Sequence, residues 1–356
     1  MGITVKDRIL KSKTNASSDI MHDLGDTMFL GVSGILTNTL PDNDIDYLFY
    51  NSTGYWSLSN SFCIETLFSS YDSLHSKIIN KLWGSMDEYR GFKESLDWNT
   101  WRILFDSGRN PEVSVSKLDF SESIDTIRSY QNKDLIYKFL YTIDVYTLIS
   151  NIVEVSKEVL YLTGDFYYIL NVHSDFLGLP DESKIGIRTS KTPAANKLVG
   201  LMALIYIRLH SLLDYHTKLA YEIEKTKVNF EKYPRLSSKN ELYSSRKKLK
   251  VNGIKGTLFE KDAFITEIDS YRNELIHNSL LDDEPRIYEK YENRQLIERY
   301  LLLPDVDKNG RLESYINRRF FYSNERKFND ILPDLLRSFQ ERQLKTLQVL
   351  SQSMQP

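Results

Sequence analysis

The sequence predicts a mainly α-helical protein, and three observations support this prediction. Apolar residues recur at three- and four-residue steps over most of the chain after Ser121, the spacing of helices with one buried face. Hydrophobic residues make up 41% of the 356 residues and charged residues 27%, the balance of a globular protein with a sizeable core. Strand-like composition is confined to short stretches, so we expect at most a small β element beside the helices.

Two regions are predicted, with a boundary near residue 190, because a chain of 356 residues is compatible with two domains. The polar segment SKIGIRTSKTP ends at Thr192 and Pro193, which are typical of a helix N-cap and of the first helical position. We therefore expect residues 1–190 to form a mostly helical region with a sensing or regulatory role, and residues 191–356 to form a helical bundle.

Residues 1–190 contain mainly helical patterns. The stretch DYLFYNSTGYWSLS favours a hairpin around Asn51 to Gly54, and ETLFSSYDSLHSKIINKLW after it has helical spacing. One long helix, continuous or broken, is predicted over about residues 121–163, where the apolar spacing persists until Gly164. The following DFYYILNV has the β-rich composition of a strand, and SKIGIRTSKTP is predicted to be a connector.

Three helices are predicted in residues 191–356. The first should end before Pro234, and its apolar stripe comprises Leu198, Met202, Ile205, Leu209, Leu212, His216, Leu219 and Ile223. TLFE, from Thr257, has the capping-box spacing that opens a second helix, which should end at Asn278. The stripe of this second helix is Phe264, Ile268, Tyr271 and Leu275. The last helix is expected from Pro333 to Leu350.

Charge and cysteine content narrow the class of protein. A net charge of -3 disfavours a protein that coats nucleic acid through bulk charge, so any such contact needs local basic patches. One cysteine forms no intramolecular disulfide, and the N-terminus lacks the apolar core of a secretory signal. The longest apolar run is about ten residues, whereas a membrane span needs about twenty. We expect a cytoplasmic protein that does not enter the membrane.

The second helix of the bundle ends in an unusual polar motif, RNELIH. Taking the centre of its apolar stripe as zero, Arg272 lies roughly 70° round the helix, Asn273 roughly 170° and His277 roughly 210°. Asn273 and His277 therefore face away from the core and are neighbours at i and i+4, while Arg272 is long enough to reach them. The three side chains therefore suit convergence on one ligand outside the core and also suit a solvated polar face, and both interpretations stay open at this point.

This motif, placed at the end of a helix in a helical bundle, resembles the Arg-x4-6-His motif of the HEPN superfamily, with Arg272, Asn273 and His277 as the matching residues. The resemblance extends from Thr192 to the C-terminus and implies a HEPN-like antiparallel helical bundle. It also implies a metal-independent endoribonuclease, without a cofactor, in which two copies of the motif meet across a homodimer. In this interpretation Arg272, Asn273 and His277 are the catalytic residues and RNA is the substrate.

Basic residues near the motif are candidates for binding RNA. Arg246, Lys247 and Lys248 precede the motif helix in a predicted basic loop, where they suit phosphate contacts as well as a solvated loop. Arg318 and Arg319 stand beside Phe320, Phe321 and Tyr322. This mixture suits base stacking and equally a core element with charged edges, so both interpretations stay open.

A histidine pair on the first helix of the bundle is a further candidate. His210 and Asp214 are an i,i+4 pair opposite the apolar stripe, and they suit either a surface pair or one that faces the cleft or a partner. His216 lies within the stripe, which favours a buried histidine with a hydrogen-bond partner. Glycine-rich phosphate loops and zinc-like Cys/His spacings are absent from the sequence, so we expect no metal or cofactor.

Two functional hypotheses follow. The first is a ribonuclease toxin or antiviral effector of the abortive-infection type, restrained by a regulatory or antitoxin partner. The second is a non-catalytic HEPN-like helical module that dimerises or binds a nucleotide or a protein, since a fold can host functions that only its site reveals.

Overall fold

The computed structural model describes residues 28–34, 47–50, 56–58, 64–130, 132–173, 185–278 and 281–354. Over these residues the chain is mostly helical, which confirms the predicted mainly α class. The α-helices are α1 (Ile64–Trp83), α2 (Met86–Ser95), α3 (Trp98–Asp106), α4 (Lys117–Tyr130), α5 (Lys133–Val172), α6 (Pro193–Glu224), α7 (Ala263–His277) and α8 (Phe328–Gln352). Two short 3-10 helices cover Ser237–Asn240 and Tyr243–Lys248.

The strands form small antiparallel sheets. They are β1 (Met28–Gly31), β2 (Tyr47–Tyr50), β3 (Trp56–Leu58), β4 (Gly186–Ser190), β5 (Ile287–Glu292), β6 (Gln295–Tyr300), β7 (Ser314–Tyr315) and β8 (Arg319–Phe320). The strand orders are β1-β2-β3, β4-β5-β6 and β7-β8. The predicted hairpin corresponds to the antiparallel pair β2 and β3, and its turn lies outside the described residues.

The chain folds into two compact units, each built from three segments. Unit A comprises Met1–Ile64, Val155–Ser211 and Lys261–Glu341, and unit B comprises Glu65–Glu154, Leu212–Glu260 and Arg342–Pro356. This division differs from the single boundary expected near residue 190. Three of the five boundaries between the units fall inside α5, α6 and α8, whereas a boundary read from sequence is sought in a polar linker between elements.

Helix α5 continues beyond the position where the sequence predicted its end. The predicted helix over 121–163 is broken between α4 and α5, and α5 then runs through Gly164 to Val172. DFYYILNV is thus helical, and the strand prediction is wrong. Phe166, Tyr167 and Leu170 are fully buried at helical spacing, and their burial outweighs the roughly 1 kcal/mol that an interior glycine costs a helix.

Helix α6 follows its prediction closely. Thr192 accepts from the backbone N–H of Ala195, and every residue of the predicted stripe, including His216, is buried. Among the described residues, α6 is long and apolar enough to cross a membrane by length and composition, and 44% of its most apolar window is buried in the protein. A single helix of this kind is weak evidence for a membrane span, because core helices pass the same test.

Helix α7 begins later than the capping-box spacing predicted. Its N-cap is Asp262, whose carboxylate accepts from the backbone N–H of Ile265 at 3.1 Å, so TLFE precedes the helix and does not cap it. Gly310 packs against this first turn with a φ of 82°. A Cβ at Gly310 would lie 2.0 Å from the carbonyl oxygen of Ala263, so only glycine allows this approach.

The start of helix α8 also differs from the prediction, since α8 begins at Phe328 and contains Pro333. A proline inside a helix leaves the carbonyl four residues earlier without its helical donor. Here that carbonyl, of Asn329, accepts a hydrogen bond from the Tyr167 hydroxyl. A buried tertiary contact therefore allows the helix to start before the proline.

Segment SKIGIRTSKTP was expected to be a connector and instead contains strand β4. Residues Gly186 to Ser190 pair with β5 over the full length of the strand. On the buried side of this sheet, the Arg299 guanidinium donates to the carbonyl oxygens of Gly34 and Leu170 and pairs with Glu289 at 3.1 Å. These bonds satisfy a nearly buried cation and anchor the sheet within unit A.

Candidate functional site

The motif helix α7 is fixed in unit A by Tyr271, the residue directly before the motif. Tyr271 is fully buried, and its hydroxyl donates to the carbonyl oxygen of Pro304 at 2.6 Å. Its ring stacks on that of Tyr206, with centroids 4.6 Å apart. Burial raises the pKa of Tyr271 well above its ordinary value, so this hydroxyl stays a neutral donor.

A charged pair reinforces this anchor. Arg326 donates from Nη1 to the Tyr271 hydroxyl at 3.1 Å and from Nη2 to Glu267 Oε1 at 2.7 Å. Glu267 lies on α7 one turn before Tyr271, so the arginine contacts two successive turns of the same helix face. The rotation of α7 about its axis is thereby set, and with it the direction of the residues that follow Tyr271.

The three predicted site residues converge at the end of α7. Arg272 Nη1 donates to Asn273 Oδ1 at 2.9 Å and lies 3.4 Å from His277 Nε2. Asn273 and His277 are exposed, and Arg272 is partly exposed. The geometry expected from helical spacing is therefore present in unit A.

The contact between Arg272 and His277 constrains the protonation of the imidazole. A guanidinium carries only donors, so His277 Nε2 can bond to it only as an acceptor, with the ring proton on Nδ1. This places a basic nitrogen beside a cation on an exposed surface. Such an arrangement can accept a proton from a ligand hydroxyl while the guanidinium contacts an anionic oxygen.

A second histidine lies against the motif helix. His210, on α6, has its Nε2 3.3 Å from Oδ1 of Asp269, which lies one turn before Asn273 on α7. Asp269 was missed by the sequence analysis, although its i,i+4 relation to Asn273 could have identified it. Asp214, the predicted partner of His210, accepts a hydrogen bond from the backbone N–H of Tyr243 at 2.7 Å.

Arg246 differs most from its expected role. It is 4% exposed in unit B, its guanidinium carbon lies 3.4 Å from the centroid of the Tyr243 ring, and its Nε donates to Asn252. A buried guanidinium that stacks on a tyrosine ring is inaccessible to RNA phosphates. The prediction that Arg246 lies in an exposed basic loop and binds RNA is therefore wrong. Lys247 and Lys248 belong to the same 3-10 helix, and their side chains lie outside the described part of the chain.

The other predicted arginines lie on a surface turn of unit A. Both are exposed, Arg318 in the turn between β7 and β8 and Arg319 as the first residue of β8. Ile316 and Asn317 in the same turn have positive φ. The exposure of the two arginines suits an electrostatic contact with an anion.

Searching the described residues reveals no group of three or more His, Cys, Asp and Glu side chains that could hold a metal ion. Comparisons with protein-family models, curated proteins and solved structures give no match. We therefore infer the function from the geometry of this site and from the resemblance of its motif.

Proposed function

We propose that the protein is a metal-independent endoribonuclease that cleaves RNA by attack of a ribose 2′-hydroxyl on the adjacent phosphorus. The observation that carries this proposal is the convergence of Arg272, Asn273 and His277 on an exposed helix face. The HEPN-like spacing of the motif supports the assignment of RNA as the substrate.

In this reaction His277 Nε2 accepts the proton of the 2′-hydroxyl as the bond from that oxygen to phosphorus forms. The bond from phosphorus to the 5′-oxygen breaks, and the leaving oxygen takes a proton from water or from an imidazolium. Arg272 stabilises the negative charge that develops on the phosphoryl oxygens. The Asn273 amide keeps Arg272 beside His277, and the products carry 2′,3′-cyclic phosphate and 5′-hydroxyl ends.

A homodimer that joins two such faces would place two guanidinium groups beside one phosphate. The exposure of the motif face leaves room for this arrangement, and Ile276, 47% exposed beside His277, adds an apolar contact. We further propose a cytoplasmic toxin or antiviral effector whose activity a regulatory or antitoxin partner restrains.

The second candidate is a non-catalytic helical module for dimerisation or ligand binding. One observation favours it. Arg272 contacts Asn273 and His277 within its own helix, so these contacts also suit side chains that only stabilise the end of the helix. Catalysis, unlike this role, requires His277 to exchange a proton.

Cleavage of mixed RNA by wild type beside His277→Ala separates the two candidates. Asn278→Ala is the matched control, because Asn278 is exposed at the same helix end and bonds to Glu274 outside the cluster. We expect cleavage in a chelator by wild type and by the control, and a loss of at least about 100-fold for His277→Ala. Equal cleavage by all three proteins, or none by wild type as a purified dimer, contradicts the nuclease.

A further inference from the structure

Unit B carries a ladder of aromatic rings that the motif does not use. Helix α3 places Trp98, Trp101 and Phe105 at steps of three and four residues, on one side of the helix. The ring centroids of Trp98 and Trp101 are 5.2 Å apart with the planes 21° from parallel, and those of Trp101 and Phe105 are 4.9 Å apart at 11°. The three rings form a nearly parallel stack, which we call the aromatic ladder.

The first ring of the aromatic ladder is open to solvent. Trp98 is 69% exposed, so most of the indole that ends the stack contacts nothing in the described chain. Tryptophan is among the residues that gain most from burial, so the exposed Trp98 indole offers a large face on which another planar ring can stack.

Cations flank the same rings. The Lys93 ammonium lies 5.4 Å from the centroid of the Trp101 ring, and the Arg109 guanidinium lies 5.1 Å from that of Phe105. Arg102, which follows Trp101, is exposed. Carboxylates stand directly before and after the aromatic ladder in the sequence, at Asp97 and Asp106, and that of Asp97 is the N-cap of α3, where it accepts from two backbone N–H groups. The contacts with the rings themselves come from the cations Lys93 and Arg109.

One polar atom in the aromatic ladder also points to a ligand. The indole Nε1 of Trp101 is buried and has no hydrogen-bond partner among the described residues. An indole nitrogen is only a donor, and leaving it buried without an acceptor is unfavourable. The aromatic ladder therefore contains a donor that an acceptor on a ligand would satisfy.

We propose that the aromatic ladder binds the nucleobases of single-stranded RNA, with Lys93, Arg102 and Arg109 contacting its phosphates. Stacked aromatic rings beside cations are the combination that holds unpaired strands without sequence preference. A protein that docked through apolar contacts alone would need neither parallel rings nor the flanking cations. The choice of RNA over other phosphorylated bases rests on the proposed function, whereas the stacking geometry does not.

Binding is tested by fluorescence anisotropy with a labelled oligouridylate and the His277→Ala protein, so that no cleavage interferes. We expect Trp98→Ala to weaken binding about tenfold, Trp98→Phe to keep most of it, and Trp98→Leu to behave like alanine. Lys93→Gln with Arg109→Gln should reduce the dependence of binding on salt. Leu118→Ala is the matched control, because Leu118 is 67% exposed on α4 of the same unit, and it should bind as the parent does.

Two further ligands separate the possible sources of binding. A strand with the same phosphates but without bases should bind weakly and show no effect of Trp98→Ala, and adenosine monophosphate should compete only at high concentration. Equal binding by the strand without bases, or parental affinity in Trp98→Ala, overturns the proposal. Parental affinity in Trp98→Leu also overturns it, because an apolar side chain without a ring would then be sufficient for binding.

The outcome is distinguishable from that of the proposed function. If oligouridylate binds through Trp98 but wild type cleaves no RNA, the proposed nuclease activity is wrong and the proposed RNA binding by the aromatic ladder is supported. If cleavage depends on His277 but RNA binding is unchanged in Trp98→Ala, the proposed nuclease activity is supported and the proposed RNA binding by the aromatic ladder is wrong.

Discussion

Two histidines in this protein lie in opposite environments, His216 in the core and His277 on the surface. In unit B, His216 is fully buried, its Nδ1 lies 2.7 Å from the carbonyl oxygen of Leu212, and its Nε2 lies 2.6 Å from the Tyr71 hydroxyl. The Tyr71 hydroxyl in turn accepts from Gln343. In unit A, the His277 Nε2 lies 3.4 Å from Arg272 Nη1, and the His277 side chain is exposed.

A histidine can exchange a proton with a substrate only when one of its ring nitrogens is accessible. A carbonyl oxygen only accepts, so His216 must donate from Nδ1 and accept at Nε2, and both ring nitrogens are engaged inside the core. His277 keeps its ring accessible beside a cation. The first arrangement stabilises a fold, and the second leaves a proton acceptor available to a substrate.

The largest expected effect is that of removing the His277 imidazole. His277→Ala should lower the rate of RNA cleavage at least about 100-fold, while its unfolding free energy stays within about 0.5 kcal/mol of wild type, because the side chain is exposed. Cleavage assays and urea unfolding measure the two quantities. A large loss of stability with little loss of activity would reverse the comparison.

His216→Ala should show the opposite behaviour. Removing the ring leaves a cavity and the buried Tyr71 hydroxyl without its acceptor, so we expect a loss of about 3 kcal/mol in unfolding free energy. Cleavage per folded molecule should be nearly unchanged. Urea denaturation gives the stability, and a variant as stable as wild type would show that the cluster of His216 is not structural.

The stability of the protein should depend on pH through the buried His216. Burial lowers the pKa of His216 from 6.5 to about 4. The unfolded chain therefore binds the proton first, and the stability that neutral His216 contributes is complete above pH 6.5 and is lost as the pH falls towards 4, by at most about 3 kcal/mol. Burial lowers the pKa of His75 as well, with the same sign.

The difference between wild type and His216→Gln isolates this contribution, because the other titrating groups are common to both proteins. Unfolding free energies measured from pH 7 to pH 4 should fall more steeply in wild type than in the variant. Parallel curves would contradict the buried, neutral state of His216.

The smallest expected effect concerns the anchor of the motif helix. Tyr271→Phe removes the hydroxyl that donates to Pro304 and accepts from Arg326, so we expect a loss of about 1 kcal/mol in stability. Cleavage should fall in kcat more than it changes KM, because the motif residues lose their fixed direction. Unchanged kcat would show that Tyr271 serves the fold alone.

Much of the helical fold could be predicted, since the stripe of α6 has a helical period that extends over many turns and its residues are all buried. Strand β4 was missed because GIRTS is polar and exposed, and only pairing with β5 makes it a strand. The contacts among Arg272, Asn273 and His277 at the end of α7 could be predicted, because helical spacing alone places these three side chains close together.

Contacts between distant residues set the limit of the sequence analysis. The pair of Arg326 with Glu267 joins residues 59 apart, and no local pattern indicates it. Arg246 was placed in a basic loop because its neighbours are lysines, but its guanidinium is buried against Tyr243 and Phe259. A basic stretch in sequence therefore does not establish which of its side chains are exposed.

RNA with a single 2′-deoxy sugar at a mapped cleavage position tests most directly whether the 2′-hydroxyl is the nucleophile. We expect wild type to cut the all-ribose strand and leave 2′,3′-cyclic phosphate ends. The deoxy substitution should abolish this cut, and His277→Ala should cut neither strand. Cleavage of the deoxy strand at the same position, or cyclic phosphate ends formed equally well by His277→Ala, would contradict this mechanism.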